Sequence, residues 1–491
     1  MLQMNQKALE AYSAETIQNL VDRIAPILEY RREMYKRYSR KNGLYEIIGD
    51  DGQKKTVPFE YYIANMVTGY LSGKAPQYNV RCRNCGEGRT HDEVYIREFK
   101  SAIDYIRRYN DDGATYMELV RDYVVMSGAY LYVYENSDNE IVYTRFDSKQ
   151  TVGIWDYSTP ANLVGLVRMW KEEDDAGNPQ SVIELLTQAG TRMFRSSSDG
   201  YKEEAGDNGS TLWDGIPAVA FENPDNIAIF EPGLSDIKDF EQIRKNIRSM
   251  TQENDEAKLL LRGYNYENQA TILNEQGEMV PNPARLVEER AILNARTISV
   301  DDDGDIHWLL KDVNYSGLLD VLKSLHDEIT MLTGVPNMTD EAFANADNAS
   351  ALGYKLYALD QYTASMDRIF RKGYLALWEL ICGRLAKKGQ KFDFRDIDVV
   401  MQRNIPTDKD KSINRAATMK TSGLFSDETC ISESQVEVDL AEEIAKRDAE
   451  AAANYELAVE RAKELGNEDD TPGQDDDKTG EDGDLNGTAR P

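Results

Sequence analysis

The chain has 491 residues and carries 87 acidic against 57 basic side chains, a formal net charge of −30 at pH 7 that excludes a protein whose whole surface grips the DNA backbone. Its 41% hydrophobic content is enough for a substantial core, and its length suits about three domains. Because the sequence shows no signal peptide and no apolar run of about 18 residues, we expect no membrane segment, and the four cysteines suit a reducing compartment.

Residues 1–42 are predicted to be helical, with Pro26 as an expected kink. The apolar face of this helix consists of Ile17, Leu20, Ile24, Ile27 and Leu28. The end of the segment is basic, and we interpret it as a solvated helix face, the alternative being contact with a polyanion or an acidic neighbouring subunit. Its basic residues are Arg31, Arg32, Lys36, Arg37, Arg40 and Lys41.

A second predicted helix, residues 59–71, ends in a glycine-rich stretch. A phosphate-binding loop needs four residues between its two glycines and a Ser or Thr after the lysine. Here Gly69 and Gly73 are one residue too close, Ala75 follows the lysine, and Pro76 prevents a helix from following. We therefore exclude a nucleotide site.

Cys82 and Cys85, followed by His91, have the spacing of half a zinc site. Three ligands do not complete a structural tetrahedron, and no second pair lies nearby in the sequence. We interpret the segment as a charged, glycine-rich loop with two incidental cysteines. A zinc ion and a strained disulfide are the alternatives, and we expect no cofactor elsewhere in the chain.

The next part of the chain predicts an α+β domain that ends at about residue 230. Helices at 95–109 and 115–126 precede a hairpin whose strands are 129–134 and 141–145. Further strands are expected at 151–155, 163–170, 181–186, 191–194 and 218–221, with a polar turn at 196–210.

A long helix is then predicted from Ser235, its expected N-cap, to about Arg262. It has a narrow apolar seam, which suits packing against other helices, including copies of itself. The seam consists of Phe240, Ile243, Ile247, Met250, Ala257 and Leu261.

Residues 263–314 are expected to form a compact insertion with a hydrophilic loop around Gly277 and a short helix at 284–291. A hairpin of strands 296–300 and 306–310 follows, because Asp303, Gly304 and Asp305 form an Asp–Gly turn that supplies positive φ. These aspartates lack the alternating ligands and distant Glu of a helix–loop–helix calcium site, so we expect no calcium.

Residues 315–389 predict two helices joined by a small polar loop at 336–348. Gly334 and Pro336 end the first helix, whose stripe is Leu318, Leu322, Leu325, Ile329 and Leu332. The second begins at Ala349 and runs to Gly389, which is on the order of 60 Å. Its stripe is Leu352, Leu356, Leu359, Met366, Phe370, Leu377 and Leu380.

The rest of the chain is predicted to contain a strand at 392–399, helices at 409–421 and 436–465, and a disordered acidic tail at 467–491.

This order of parts resembles the portal proteins of tailed bacteriophages, specifically the siphophage type with a short clip, over about residues 15–455. Gly69 to Lys74 is similar to the family's Gly-Tyr-x-x-Gly-Lys-Pro segment, although Ala75 intervenes here before Pro76. The order and spacing of the motifs, rather than any one of them, carry the resemblance. The other matching stretches are Gly128-Ala129-Tyr130, Phe146-Asp147, Trp155-Asp156-Tyr157, Ile216-Pro217, Phe221-x-Asn223, residues 303–309, 334–338 and 348–352.

The resemblance implies a mainly helical α+β portal fold, assembled as a dodecameric ring at one capsid vertex of the virion after assembly in the host cytoplasm. The implied partners are further copies of the chain, the terminase large subunit (the packaging ATPase), a head-completion or neck adaptor, the major capsid and scaffolding proteins, and double-stranded DNA that passes through without specific binding, with no membrane. The implied parts are a wing (1–233), a first stem helix (234–262), a clip (263–314), a second stem helix (315–333), a tunnel loop (334–350), a long helix with a wing strand (351–408), a crown (409–466) and the tail.

The same resemblance implies roles for particular residues. The residues that would pack the stem helices together are Phe240, Ile243, Ile247, Leu318, Leu322, Leu325 and Ile329. The turn of the clip would consist of Asp303, Gly304 and Asp305. The channel lining falls to Thr339, Asp340, Glu341, Phe343, Asn345, Asp347 and Asn348. The three histidines form no sequence cluster and no catalytic set shares a motif, so we expect no enzyme. The alternatives are another structural head–tail adaptor and a metal-dependent DNA-packaging enzyme.

Overall fold

The computed structural model describes residues 2–39, 58–82, 89–173, 177–197, 200–205, 212–255, 258–262, 266–274, 277–294, 305–309, 315–337, 349–404, 409–425, 429–431, 434, 446–447, 449–450 and 452–458. The chain divides into two units, Met1–Ile405 and Pro406–Pro491. The described residues form helices and small sheets, which confirms the predicted α+β class. None of the described helices has both the length and the hydropathy that crossing a membrane requires.

A six-stranded sheet packs against the first two helices, α1 (Gln6–Glu10) and α2 (Ile17–Ser39). Its first strand pairs in parallel and the others are antiparallel. The predicted face of α2 is confirmed at four of its five positions, whereas Ile27 is only half-buried. In spatial order the strands are β1 (Leu2–Gln3), β5 (Thr151–Trp155), β6 (Leu163–Glu173), β7 (Pro179–Thr187), β8 (Gly190–Ser197) and β9 (Gly200–Ala205).

Two predictions about this sheet were wrong. The first ten residues do not continue one helix, because Leu2 pairs with Ile154 and makes an edge strand before α1 begins. The expected turn at 196–210 contains β9, whose Lys202 lies opposite Arg195. Both errors have one cause: a short strand is stabilised by its neighbour rather than by its own sequence pattern.

A second sheet lies in the larger hydrophobic core, which is called here the main core. Its strands are antiparallel, in the spatial order β10 (Ala218–Glu222), β3 (Gly128–Glu135) and β4 (Ile141–Phe146). It is covered by α3 (Phe59–Ser72), α4 (Arg89–Tyr109), α5 (Asp112–Met126) and α9 (Ala349–Lys387). A separate pair, β2 (Gln77–Val80) with β15 (Ile397–Val400), completes this part. Most of the predicted helices and strands are confirmed here to within a few residues. The exceptions are α4, which begins six residues before the predicted start, and Phe394–Asp396, which is a 3-10 turn, while β2 was not predicted.

The long helix α9 has 39 residues, so it spans about 58 Å. Its predicted stripe is buried at Leu356, Leu359, Met366, Phe370 and Leu377, while Leu380 is half-buried and the Leu352 side chain lies outside the described residues. Gly373 sits where Phe221 crosses, and a Cβ there would lie 2.1 Å from the ring. This contact explains a glycine inside the helix despite its low helix propensity.

Two further helices, α6 (Leu234–Asp255) and α8 (Tyr315–Thr333), pack against each other and are called here the paired helices. The predicted bounds of α8 are confirmed to within a residue. Two expectations for α6 were wrong. A 3-10 turn at Glu231–Gly233 leads directly into Leu234, so Ser235 lies inside the helix rather than at its cap. The helix also ends at Asp255, not at Arg262.

The residues after α6 form β11 (Lys258–Arg262), which pairs with β14 (Asp305–Leu309). The leucines at 259, 260 and 261 are consecutive, a run that suits a strand better than a narrow helical seam. The expected loop around Gly277 is a hairpin of β12 (Thr271–Leu273) and β13 (Met279–Pro281), followed by α7 (Pro283–Asn294). Residues 295–304, which include the predicted strand 296–300 with Asp303 and Gly304, lie outside the described residues.

In the second unit, α10 (Lys409–Thr421) matches the predicted helix at both ends. Ala416 and Cys430 are buried. Residues 446–447, 449–450 and 452–458 are helical, within the helix predicted at 436–465. The predicted tail lies outside the described residues.

Candidate functional site

The loop between α8 and α9 is the site that the sequence predicts, and its candidate residues lie outside the described residues. They are Thr339, Asp340, Glu341, Phe343, Asn345, Asp347 and Asn348. The structure does describe the two attachments of this segment: residues Gly334 to Asn337, which we call the loop root, and the buried part of α9. The geometry of these attachments fixes where the loop begins and ends.

The loop root begins with a turn that only glycine makes cheaply. Gly334 has φ +67°, in the left-handed region, and a Cβ there would meet Cβ of Tyr362 at 3.4 Å. Val335 follows and is 1% exposed, inside the main core. The chain therefore leaves α8 by turning into the core.

The next two residues are held by side chains from two different helices. The hydroxyl of Tyr62 on α3 donates to the carbonyl oxygen of Pro336 at 3.2 Å. The amide Nδ2 of Asn337 lies 3.2 Å from Nδ1 of His326 on α8. An amide nitrogen only donates, so the imidazole nitrogen accepts in this bond.

Phe59 joins these contacts from the same helix as Tyr62. Its ring meets Phe240 of α6 edge-on at a centroid distance of 5.1 Å and lies 5.6 Å from the ring of His326. Phe59 is 5% exposed, whereas Phe240 and His326 are half-buried. One helix of the main core thus touches both paired helices and the loop root.

The other attachment is an ion-paired network on α9. Arg403 donates to Asp360 at 3.1 Å and to Asp367 at 2.6 Å, and Tyr70 donates to Asp360 at 3.0 Å. Burial raises the pKa of Asp367 although Arg403 favours its ionised form. Burial, together with the hydrogen bond to Asp360, raises the pKa of Tyr70 to about 12. The network ties α9 to α3 and to the segment after β15.

The paired helices bring the predicted packing residues together. Ile329 is fully buried next to Gly233, and the other six are half-buried along one side of each helix. Leu332 was predicted on the same stripe but is 40% exposed, because its side chain falls at the edge of the buried face. Val321, eleven residues earlier and three helical turns away, is 45% exposed on the same edge.

The weak zinc candidate gains no support. Cys82 is in a disulfide and so offers no thiolate to a metal. Cys85 and the side chain of His91 lie outside the described residues. Within the described part of the chain, no three His, Cys, Asp or Glu side chains are grouped closely enough to hold a metal ion.

A buried polar network was not predicted from the sequence, and the interpretation of Arg31 as part of a solvated helix face was wrong. Arg31 is 2% exposed, donates to the carbonyl of Thr151 at 2.6 Å and lies 3.9 Å from Glu222. Glu222 also accepts from the hydroxyl of Tyr130 and, at 2.9 Å, from Nε1 of Trp155. Helical spacing could have predicted that Arg31 is buried, since Arg31 continues the buried stripe of α2.

The family model described as phage portal protein, SPP1 Gp6-like, matches residues 32–456. No curated protein matches the chain.

Proposed function

The chain belongs to the SPP1 Gp6-like phage portal protein family, and from that premise we propose that its copies form a dodecameric ring at one capsid vertex. In this proposal the ring conducts double-stranded DNA inward during packaging and outward during ejection. A phage head–tail connector role follows from the family itself. The observation that carries the proposal is the extent of the match, because residues 32–456 include the main core, the paired helices and the loop between α8 and α9.

We assign the paired helices to the stem of the ring. The exposed apolar edge of α8 supports this assignment, since Val321 and Leu332 are 45% and 40% exposed in a single chain. Repeated head-to-tail contacts between identical subunits close a ring, and such an edge is what a neighbouring stem would cover. The clip in this assignment begins at Lys258 rather than 263, because β11 pairs with β14.

We assign the clip as the docking surface for the terminase large subunit and later for a neck adaptor. Three of its side chains support this role by their exposure: Leu273, Met279 and Val287 are 67–68% exposed. Leu273 and Met279 are directly opposite each other across the hairpin. Apolar side chains gathered on a surface in this way mark interaction sites.

The acidic side chains of the loop between α8 and α9 support the conduit role. A channel must hold DNA without binding it tightly, and each basic contact to phosphate would add salt-dependent affinity. The loop offers Asp340, Glu341 and Asp347 instead. Because the family is one of structural proteins, we further propose that packaging energy comes from a separate ATPase.

A charge reversal in the loop tests the conduit. Asp340→Lys with Glu341→Lys should give rings that still assemble, bind DNA more tightly at low salt and package less of it. Each new phosphate contact should steepen the salt dependence of DNA affinity by roughly one unit. End-on negative-stain images and particle mass check assembly in the same samples, with Asp340→Asn and Glu341→Gln as the charge-neutral control. Normal packaging with unaltered DNA affinity would place the loop away from the channel.

A metal-dependent enzyme is the rival class. Magnesium-dependent hydrolysis of DNA or ATP by the purified protein would favour that class over the conduit.

A further inference from the structure

We propose that Tyr62 and His326 are positioning residues that set where the loop at 338–348 leaves the protein. In this inference, which rests on the proposed conduit function, the main core rather than α8 alone determines where the loop stands.

The loop root makes a different attachment at each of its four residues. Gly334 lies against Tyr362 of α9, Val335 is buried in the core, Pro336 accepts from Tyr62 of α3, and Asn337 donates to His326 of α8. Three helices therefore hold a segment of four residues. A connection that only had to end a helix would not need them, because Gly334 already ends α8 with its positive φ.

Both positioning contacts trace back to one face of α3. Phe59 and Tyr62 are three residues apart, so their side chains share a side of that helix. Tyr62 reaches the loop root directly, across 274 residues of sequence. Phe59 reaches it through the ring of His326, which in turn accepts from Asn337.

This arrangement couples two movements. Phe59 also contacts Phe240, so α3 is packed against both paired helices at the point where it holds the loop root. A shift of the paired helices relative to the core must therefore break one of two hydrogen bonds: the bond from Tyr62 to Pro336 if the loop root moves with α8, or the bond from Asn337 to His326 if it stays with the core. The position of the loop root is thereby tied to both the core and the proposed stem.

The test uses substitutions that remove the hydrogen-bonding group and leave an aromatic ring in its place. Tyr62→Phe removes the donor to Pro336, and His326→Phe removes the acceptor for Asn337 while it retains a ring next to Phe59. Tyr61→Phe is the matched control, because Tyr61 is 49% exposed and stacks on Tyr38 instead. Hydrogen exchange of backbone amides at residues 334–340 and the DNA packaged per ring are measured in assembled particles.

We expect exchange at residues 334–340 to rise roughly fivefold for each lost hydrogen bond, which corresponds to about 1 kcal/mol, and packaging to fall in both variants but not in the control. Unchanged exchange would overturn the inference. So would faster exchange with normal packaging, which would leave the conduit function intact and remove the positioning role. If wild-type rings fail to package DNA, the conduit function fails instead, and the exchange measurement still decides whether these residues hold the loop root.

Discussion

The main core and the paired helices bury their apolar residues in different ways. In the core, Tyr116, Phe221 and Phe370 are fully buried, and the Phe370 ring contacts those of Phe221 and Tyr116 at centroid distances of 4.9 and 5.6 Å. Among the described residues of the paired helices, only Ile237, Ile329 and Thr333 are buried, and all three lie near the core end. The core is thus complete within one chain, whereas the paired helices bury one side against each other and α8 leaves an apolar edge uncovered.

The two regions also differ in how they treat charge. The core encloses carboxylates at Asp112, Asp122 and Glu222, and each has hydrogen-bonding partners. Such networks specify one arrangement, because a buried polar group without a partner is costly. The described charged side chains of the paired helices are exposed or half-buried, and charges in contact with solvent specify much less. We infer that the core fixes the subunit and that the paired helices are completed by other copies.

Breaking the buried network of Arg31 and Glu222 should have the largest effect on the stability of the subunit. Arg31→Met leaves Glu222 buried with its guanidinium partner removed, which should lower the free energy of unfolding by about 3–5 kcal/mol. Adding Glu222→Gln should recover part of that loss, because the remaining buried group is then neutral. Arg32→Met on the exposed side of α2 is the control and should change stability by less than about 0.5 kcal/mol. Urea unfolding of all four proteins measures this, and equal losses for Arg31 and Arg32 would mean that the core does not depend on the network.

Acidic residues on the apolar edge of α8 should have the opposite effect: the stability of the subunit should change little, whereas the ring should no longer assemble. Val321→Glu with Leu332→Glu removes two apolar side chains from each proposed contact, a loss of about 1.5–3 kcal/mol for each side chain. Particle mass should fall to that of small species while the urea unfolding of the subunit changes little. Ser324→Glu, at an exposed polar position, should leave rings intact. Rings of normal mass in the double variant would show that this edge faces solvent.

The sequence predicts long elements well and non-local contacts poorly. The apolar stripes of α8 and α9 and the end of α8 at Gly334 could be predicted, since the signals are local. The end of α6 does not, because β11 exists only by pairing with a strand more than 40 residues later. The loop root could be predicted as a helix stop, but Tyr62 could not be assigned to it, since it lies 274 residues from Pro336. His326 is only eleven residues from Asn337, but no sequence pattern singles out that contact. Arg31 belongs to the same class, because its partners are on β5 and β10.

The pH dependence of stability should show a smaller effect of the buried carboxylates in the main core. Burial raises the pKa of Asp112 even though hydrogen bonds from Tyr143 and Tyr78 and the charge of Arg107 favour its ionised form. A carboxyl group with a raised folded-state pKa stabilises the fold below its unfolded pKa of about 3.9, and that contribution is lost as pH rises through the folded pKa. The stability of wild type relative to Asp112→Asn should therefore fall with rising pH above about 4, and the fall should level off once the pH exceeds the folded-state pKa. Urea unfolding between pH 4 and 7 measures the difference, and a rising difference would show that the hydrogen bonds outweigh burial.

The smallest effect is expected from the predicted tail, which tests whether the core is complete without it. Residues 467–491 contain nine acidic and two basic residues, and Leu485 is their one large apolar residue. Ordering such a segment would cost chain entropy with almost no apolar surface to bury in return. Truncation after Gly466 should therefore leave the free energy of unfolding and the mass of the ring, corrected for the missing residues, nearly unchanged. A matched truncation that also removes α10 distinguishes a dispensable tail from a dispensable second unit. Loss of the ring on removal of the tail alone would mean that acidic residues beyond the core take part in assembly, and the division between a complete core and incomplete paired helices would have to include the C-terminus.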